Sequence, residues 1–191
     1  MRLGVHCSIA GGLDRALEEA RAKGCETIQV FTRSPRNWAG RPIPVAEAAA
    51  FRAGLAEAGI APLVVHTIYL PNLATEQEAL YEKSVQVFMD DMRRAEAIGA
   101  DYLVIHPGRH SGGTREVGMR RLIAGLNRAL REVANDVIVL IENLAGGKTD
   151  LCGRFEEIGA VRAGLEQPER VGVCLDTAHA HAAGYDVTSA A

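Results

Sequence analysis

A repeat of short apolar runs and longer amphipathic stretches sets the narrowest limit on what this chain can fold into. The runs LGVHC, TIQVFT, PLVVHT, YLVIHP, VIVLIEN and VGVCLDT read as six strands. Several are apolar on both faces, as strands buried in a parallel sheet are. Between them lie segments of helical periodicity: LDRALEEARAKG, VAEAAAFRAGLAEAG, QEALYEKSVQVFMDDMRRAEAIG, REVGMRRLIAGLNRALREV and GRFEEIGAVRAG. Three of these end in a glycine that leads into a strand, Gly24, Gly59 and Gly99, where glycine suits the left-handed position that closes a helix. The step from Gly24 to Gly59, and again from Gly59 to Gly99, is the length of one strand–helix unit. With no linker, composition shift or low-complexity segment, residues 1–191 are expected to form a single α/β domain with parallel strands. An open doubly wound sheet and a (β/α)₈ barrel both fit this periodicity.

The chemistry at the strand ends separates them. Four consecutive strands stay apolar and then finish on a group able to bind a cation or a proton: His66, His106, Glu142 and Asp176. Each of these follows the one before it by a single βα unit. A lone histidine at a strand end is commonly a hydrogen-bonded structural residue, and an acid there commonly caps the next helix. Four in succession at the same end point to a joint site. Catalytic residues collect on the C-terminal face of barrels, whereas open sheets gather ligands at one switch point, so a barrel is favoured. Residues two apart in a strand share a face, which places Val64, Val104, Leu140 and Cys174 one layer beneath these four, as packing of a barrel interior. Two imidazoles with carboxylates suit Zn²⁺, Mn²⁺ or Fe²⁺ rather than the all-oxygen shells of Mg²⁺ and Ca²⁺. Phosphodiester hydrolysis is the natural chemistry of such a cluster, with sugar isomerisation as an alternative.

Composition bounds the remaining classes. A chain of 191 residues, 48% hydrophobic, can bury a substantial core. No stretch reaches the length of an apolar membrane span and the N-terminus has no apolar signal region, so the expectation is a cytoplasmic protein with no membrane partner. Cys7, Cys25, Cys152 and Cys174 are far apart without a C-x-x-C pair and are expected as reduced thiols. The net charge of −3 gives no sign of nucleic-acid binding, although bound divalent cations would add positive charge that a residue count omits.

The strand ends also carry a resemblance. H-x-x-Y-L-x-N-L at His66 to Leu73, V-I-H-P-G at Val104 to Gly108, I-E-N-x-A-G at Ile141 to Gly146 and L-D-T-x-H-x-x-A-A-G-Y-D at Leu175 to Asp186 resemble the endonuclease IV family of zinc-dependent apurinic/apyrimidinic endonucleases. The opening G-x-H-x-S-x-A-G-G at Gly4 to Gly12, and Phe31-Thr32 followed by Arg36-Asn37-Trp38, match the same family, so the resemblance covers essentially the whole chain. It implies a (β/α)₈ barrel of the xylose-isomerase-like type with three zinc ions at its C-terminal face. It also implies hydrolysis of the phosphodiester 5′ to an abasic site in double-stranded DNA, leaving a 3′-hydroxyl and a 5′-deoxyribose phosphate, by a monomeric full-length enzyme of base-excision repair. By the same resemblance His66 and His106 bind one zinc, Glu142 bridges it to a second and acts as the catalytic carboxylate, Asp176 binds the second, and His179 binds the third. Mn²⁺ is a further candidate metal. Arg36 and Tyr69 are implied to enter the DNA beside the lesion, where a missing base lowers the cost of unpairing. His181 and His110 are read as bystanders, Trp38 as loop packing, and His6 as a phosphate contact or a prop of the barrel floor.

A barrel of this type typically needs roughly 250 residues. Six of eight βα units are expected here, with the last two lacking, and the resemblance draws four further ligands from them: a histidine, an Asp-x-His pair and a glutamate. Only the first zinc site is therefore expected to be complete, and unpaired edges at the first and sixth strands favour association. This makes a C-terminally truncated chain, inactive by itself, the expectation. The alternatives are a metal-dependent sugar isomerase or epimerase of similar barrel type, and a non-catalytic metal- or DNA-binding fragment.

Overall fold

The computed structural model describes residues 1–189 and contains the six expected strands, all in one sheet in the order β1-β2-β3-β4-β5-β6. These are β1 (Gly4–His6), β2 (Thr27–Val30), β3 (Leu63–His66), β4 (Tyr102–Ile105), β5 (Ile138–Glu142) and β6 (Val171–Cys174). The helices α1 (Leu13–Ala22), α2 (Val45–Ala58), α3 (Glu78–Ala97), α4 (Arg115–Glu132) and α5 (Phe155–Ala163) fill the five intervals, and α6 (Thr177–Ala182) follows β6. Every strand pairs with its chain neighbour, the order of successive right-handed βα units. Among the described residues no helix is long and apolar enough to cross a membrane.

The contacts gather into two compact units. The first comprises residues 1–70, 90–103 and 135–138; the second comprises 71–89, 104–134 and 139–191. In the first, β1 and β2 pair Val5 with Ile28, and β2 and β3 pair Val30 with Val65. Ile28, Val30 and Val65 are buried, and α1 and α2 pack against each other. The two helices approach closely at Gly54, where a Cβ would overlap the Leu17 side chain. Gly24, Gly59 and Gly99 all take left-handed φ values of 65°, 66° and 77°, as expected for glycines that stop helices ahead of strands.

In the second unit, β5 and β6 run in parallel register from Val139–Val171 to Glu142–Cys174. The 18-residue α4 starts at a Thr114 cap, whose hydroxyl accepts from the Val117 N–H at 3.3 Å. It then buries Leu122, Leu126 and Leu130, one stripe of a helix. Of the layer expected beneath the strand-end ligands, Val104 is buried, while Val64, Leu140 and Cys174 keep part of their surface. Six strands supply fewer inward neighbours than the eight that fill a closed barrel. At the sheet edges Val5 and Val173 are exposed.

Candidate metal centre

Glu142 is the last residue of β5, and strand alternation turns it into the protein, where it is 6% exposed. Each of its carboxylate oxygens has an imidazole beside it. Oε2 lies 3.3 Å from His106 Nε2, and Oε1 lies 3.3 Å from His179 Nδ1. A buried carboxylate carries a large desolvation cost unless positive charge or hydrogen bonds compensate it, and imidazoles at this distance are groups able to do so.

Asp176 follows β6 and caps α6, its Oδ1 accepting from the His179 N–H at 2.8 Å. The capping reading of this acid holds, and its Oδ2 lies 3.6 Å from His179 Nδ1. Glu142, Asp176 and His179 together offer ligand atoms that all lie within 4.8 Å of one another. His179 Nδ1 is also 2.9 Å from the Asn143 carbonyl oxygen. Cys174 sits next to this cluster. Burial first, then the charges of Glu142 and Asp176, push its thiol up to about 11. All four cysteines are free, as expected.

In the first unit, His66 ends β3 and is buried. Its Nδ1 is 2.6 Å from the Thr67 carbonyl, which can only accept, so this nitrogen carries the proton and Nε2 keeps its lone pair. The His66 ring lies 5.6 Å from that of Phe31 and 5.9 Å from that of Tyr69. Tyr69 is 60% exposed, and Arg36 is exposed on the loop between β2 and α2. The structure brings these two loops together, since the Tyr69 N–H donates to the Pro35 carbonyl. A cleft of about 640 Å³ opens beside them, lined by His6, Ser8, Phe31, Asn37 and Arg41 among others. Burial and the neighbouring His66 hold His6 below the usual imidazole range, with Glu19 opposing. His181 is exposed on α6, and His110 bonds within its own loop to Gly113.

Residue patterns give no warning of the groups that hold these loops. Arg33 and Asp91 are both buried and form an ion pair at 2.7 Å, and Arg94 binds the Thr32 backbone and hydroxyl. These residues lie 58 or more positions apart along the chain, so only the fold reveals them. Asn143 stands within the I-E-N motif, but its partners lie on the next βα unit.

A sheet built of successive βα units, with a carboxylate–imidazole cluster at its C-terminal strand ends, defines a metal-site (β/α) barrel. The family model described as xylose isomerase-like TIM barrel matches residues 17–191. The probable endonuclease 4 of Methanoculleus marisnigri is 42% identical over 189 residues, which span 98% of this chain and 67% of that protein. That of Halothermothrix orenii is 41% identical, with the same coverage of each. The crystal structure of endonuclease IV from Thermus thermophilus superposes with a TM-score of 0.87 at 42% identity, covering 98% of this chain and 66% of that one. The chain belongs to the endonuclease IV family within the xylose isomerase-like TIM barrels, and it spans about two thirds of the length of these relatives. A D-psicose 3-epimerase superposes with a TM-score of 0.73 at 17% identity, a likeness of fold alone.

Proposed function

We propose that this chain carries the metal-binding and DNA-reading part of an abasic-site endonuclease, which hydrolyses the phosphodiester 5′ to the lesion and leaves a 3′-hydroxyl and a 5′-deoxyribose phosphate. The observation that carries the reading is the buried Glu142 carboxylate set between His106 and His179 in a chain 42% identical to a probable endonuclease 4. The donor set of borderline imidazole nitrogens and carboxylate oxygens suits zinc. His66 and His106 would hold one ion with Glu142, Asp176 would share a second with Glu142, and His179 would belong to a third. Divalent ions bound there supply Lewis-acid polarisation of a phosphoryl oxygen and stabilise charge on the departing oxygen.

The residues of the chain do the rest. Glu142 has one carboxylate oxygen beside His106 and the other beside His179, so its two oxygens would serve two different ions. The Nδ1–H of His66 is held by Thr67, so the ring stays oriented with Nε2 as its donor atom. Arg36 and Tyr69, exposed on loops tied at Pro35, would enter the duplex and support the extrahelical nucleotide; their exposure and the joined loops support this. A missing base removes most of the unpairing cost, and this favours abasic sites over intact DNA.

A chimera tests the reading: this chain replaces the matching two thirds of the Thermus thermophilus endonuclease IV, and a duplex with one tetrahydrofuran residue is the substrate. Zinc-dependent incision 5′ to the analogue is expected. Epimerisation of ketoses by a chimera that leaves the duplex uncut would reject the endonuclease in favour of the sugar-converting alternative.

A further inference from the structure

We infer that Asn143 is a positioning residue that presets Glu142, Asp176 and His179 for divalent cations, through a side-chain clamp on the Asp176 backbone and a carbonyl that orients the His179 ring. The inference rests on the metal-centre reading above and deepens it.

The β5–β6 ladder ends at the Glu142–Cys174 pair, and the Asn143 N–H adds one longer bond to the Cys174 carbonyl at 3.3 Å. Beyond that point the chain after β6 turns into α6, and the ladder has no further peptide with which to hold Asp176. The Asn143 side chain takes that place. Its Oδ1 accepts from the Asp176 N–H at 2.8 Å, and its Nδ2 donates to the Asp176 carbonyl at 3.0 Å. A side-chain amide has the donor and acceptor spacing of a peptide, so it pairs with one residue's backbone as a neighbouring strand would. Asn143 is wholly buried, which makes both bonds costly to lose.

The Asn143 carbonyl reaches the third ligand. His179 Nδ1 is 2.9 Å from this oxygen, and its other near neighbours are carboxylate oxygens. All of them only accept, so the neutral ring carries its proton on Nδ1 and keeps the lone pair on Nε2. One residue thus joins the strand that bears Glu142 to the backbone of Asp176 and to the ring of His179.

The same device occurs a second time. Asn72 Oδ1 accepts from the Arg109 N–H at 3.0 Å, and its Nδ2 donates to the Arg109 carbonyl at 2.9 Å. Gly108, at φ 94°, clears the space that this clamp needs, since a Cβ there would overlap Asn72 Oδ1. An amide is what both places require. Aspartate at 143 would forfeit the bond to the Asp176 carbonyl and set a further negative charge beside two carboxylates.

Zinc and cobalt titrations of the chain, with Asn143→Ala, Asn143→Asp and Asn72→Ala, test the role. Both Asn143 variants should lose about 10- to 100-fold in affinity, the usual cost of removing a group that orients a ligand, and their cobalt visible spectra should change. Asn72→Ala should stay within about twofold. A folded Asn143→Ala with wild-type affinity and spectrum overturns the inference, as does an equal loss in Asn72→Ala, which would mark a general loosening of the rim. Nitrogen NMR of His179 in the metal-free wild-type chain gives a readout independent of variant folding. A protonated Nδ1 supports the inference and a protonated Nε2 overturns it. A wild-type chain that binds neither metal would reject the metal reading alone, and the tautomer would still decide the role of Asn143.

Discussion

Asp91 shows how one residue can respond to pH through its surroundings. Burial pushes its carboxyl up to about 6, against the opposing pull of Arg33, with Asp90 adding to the rise and Arg94 opposing it. Because the folded pKa lies above the unfolded value of 3.8, the native state holds this proton more tightly. Its contribution is thus present at low pH and is lost as pH rises from about 4 to about 6. The span corresponds to about 3 kcal/mol at 1.36 kcal/mol per unit. Asn at this position imitates the protonated form, so Asp91→Asn should gain on the wild type by up to that amount between pH 4 and 7 in urea unfolding. A gap that does not move with pH would contradict it. At the metal centre, Glu142→Gln keeps the shape but removes the charge between His106 and His179. Zinc affinity should fall by at least about 100-fold, the upper end of what loss of a mere orienting group costs, measured by competition with a chromophoric chelator.

At the scale of the element, caps and stripes account for where helices begin and end. Gly59 closes α2 at φ 66° with nothing within 4 Å of an added Cβ, so Gly59→Ala tests backbone conformation with no steric overlap. A loss of about 1 kcal/mol is expected in denaturant unfolding, from the left-handed strain alone. Thr114→Ala should cost about as much by removing the acceptor for the Val117 N–H at the start of α4. Six strands, five crossover helices and the three closing glycines are legible in the sequence because periods of 2 and 3.6 and the special freedom of glycine are local properties. Two readings stop short. Spacing alone leaves Asp176 as either a helix cap or a ligand; its Oδ1 caps α6, while its Oδ2 lies beside His179. Val64, Leu140 and Cys174 are expected as interior packing, yet each keeps part of its surface, since burial depends on how many strands surround a side chain.

For the whole molecule, the same cluster links stability to metal. Ligands that bind only the native chain stabilise it by mass action, about 2.7 kcal/mol at a free concentration 100 times Kd. Zinc should therefore raise the melting temperature and a chelator should reverse the rise, while Glu142→Gln should respond to neither; an equal zinc response in that variant would place the ion elsewhere. The α/β class, the length of the repeating unit and the candidacy of the strand ends His66, His106, Glu142 and Asp176 for the chemistry were all legible in the chain, because each follows from residue types at short spacing. That Asn143 clamps Asp176, that Arg33 pairs with Asp91 and Thr32 with Arg94 on a distant helix, and that the loops of Arg36 and Tyr69 are joined at Pro35 emerges only from the folded chain. Those partners are far apart along the chain, and a hydrogen bond over such a separation leaves no periodic trace; it exists only once parallel strands have brought the loops that follow them to the same end of the sheet.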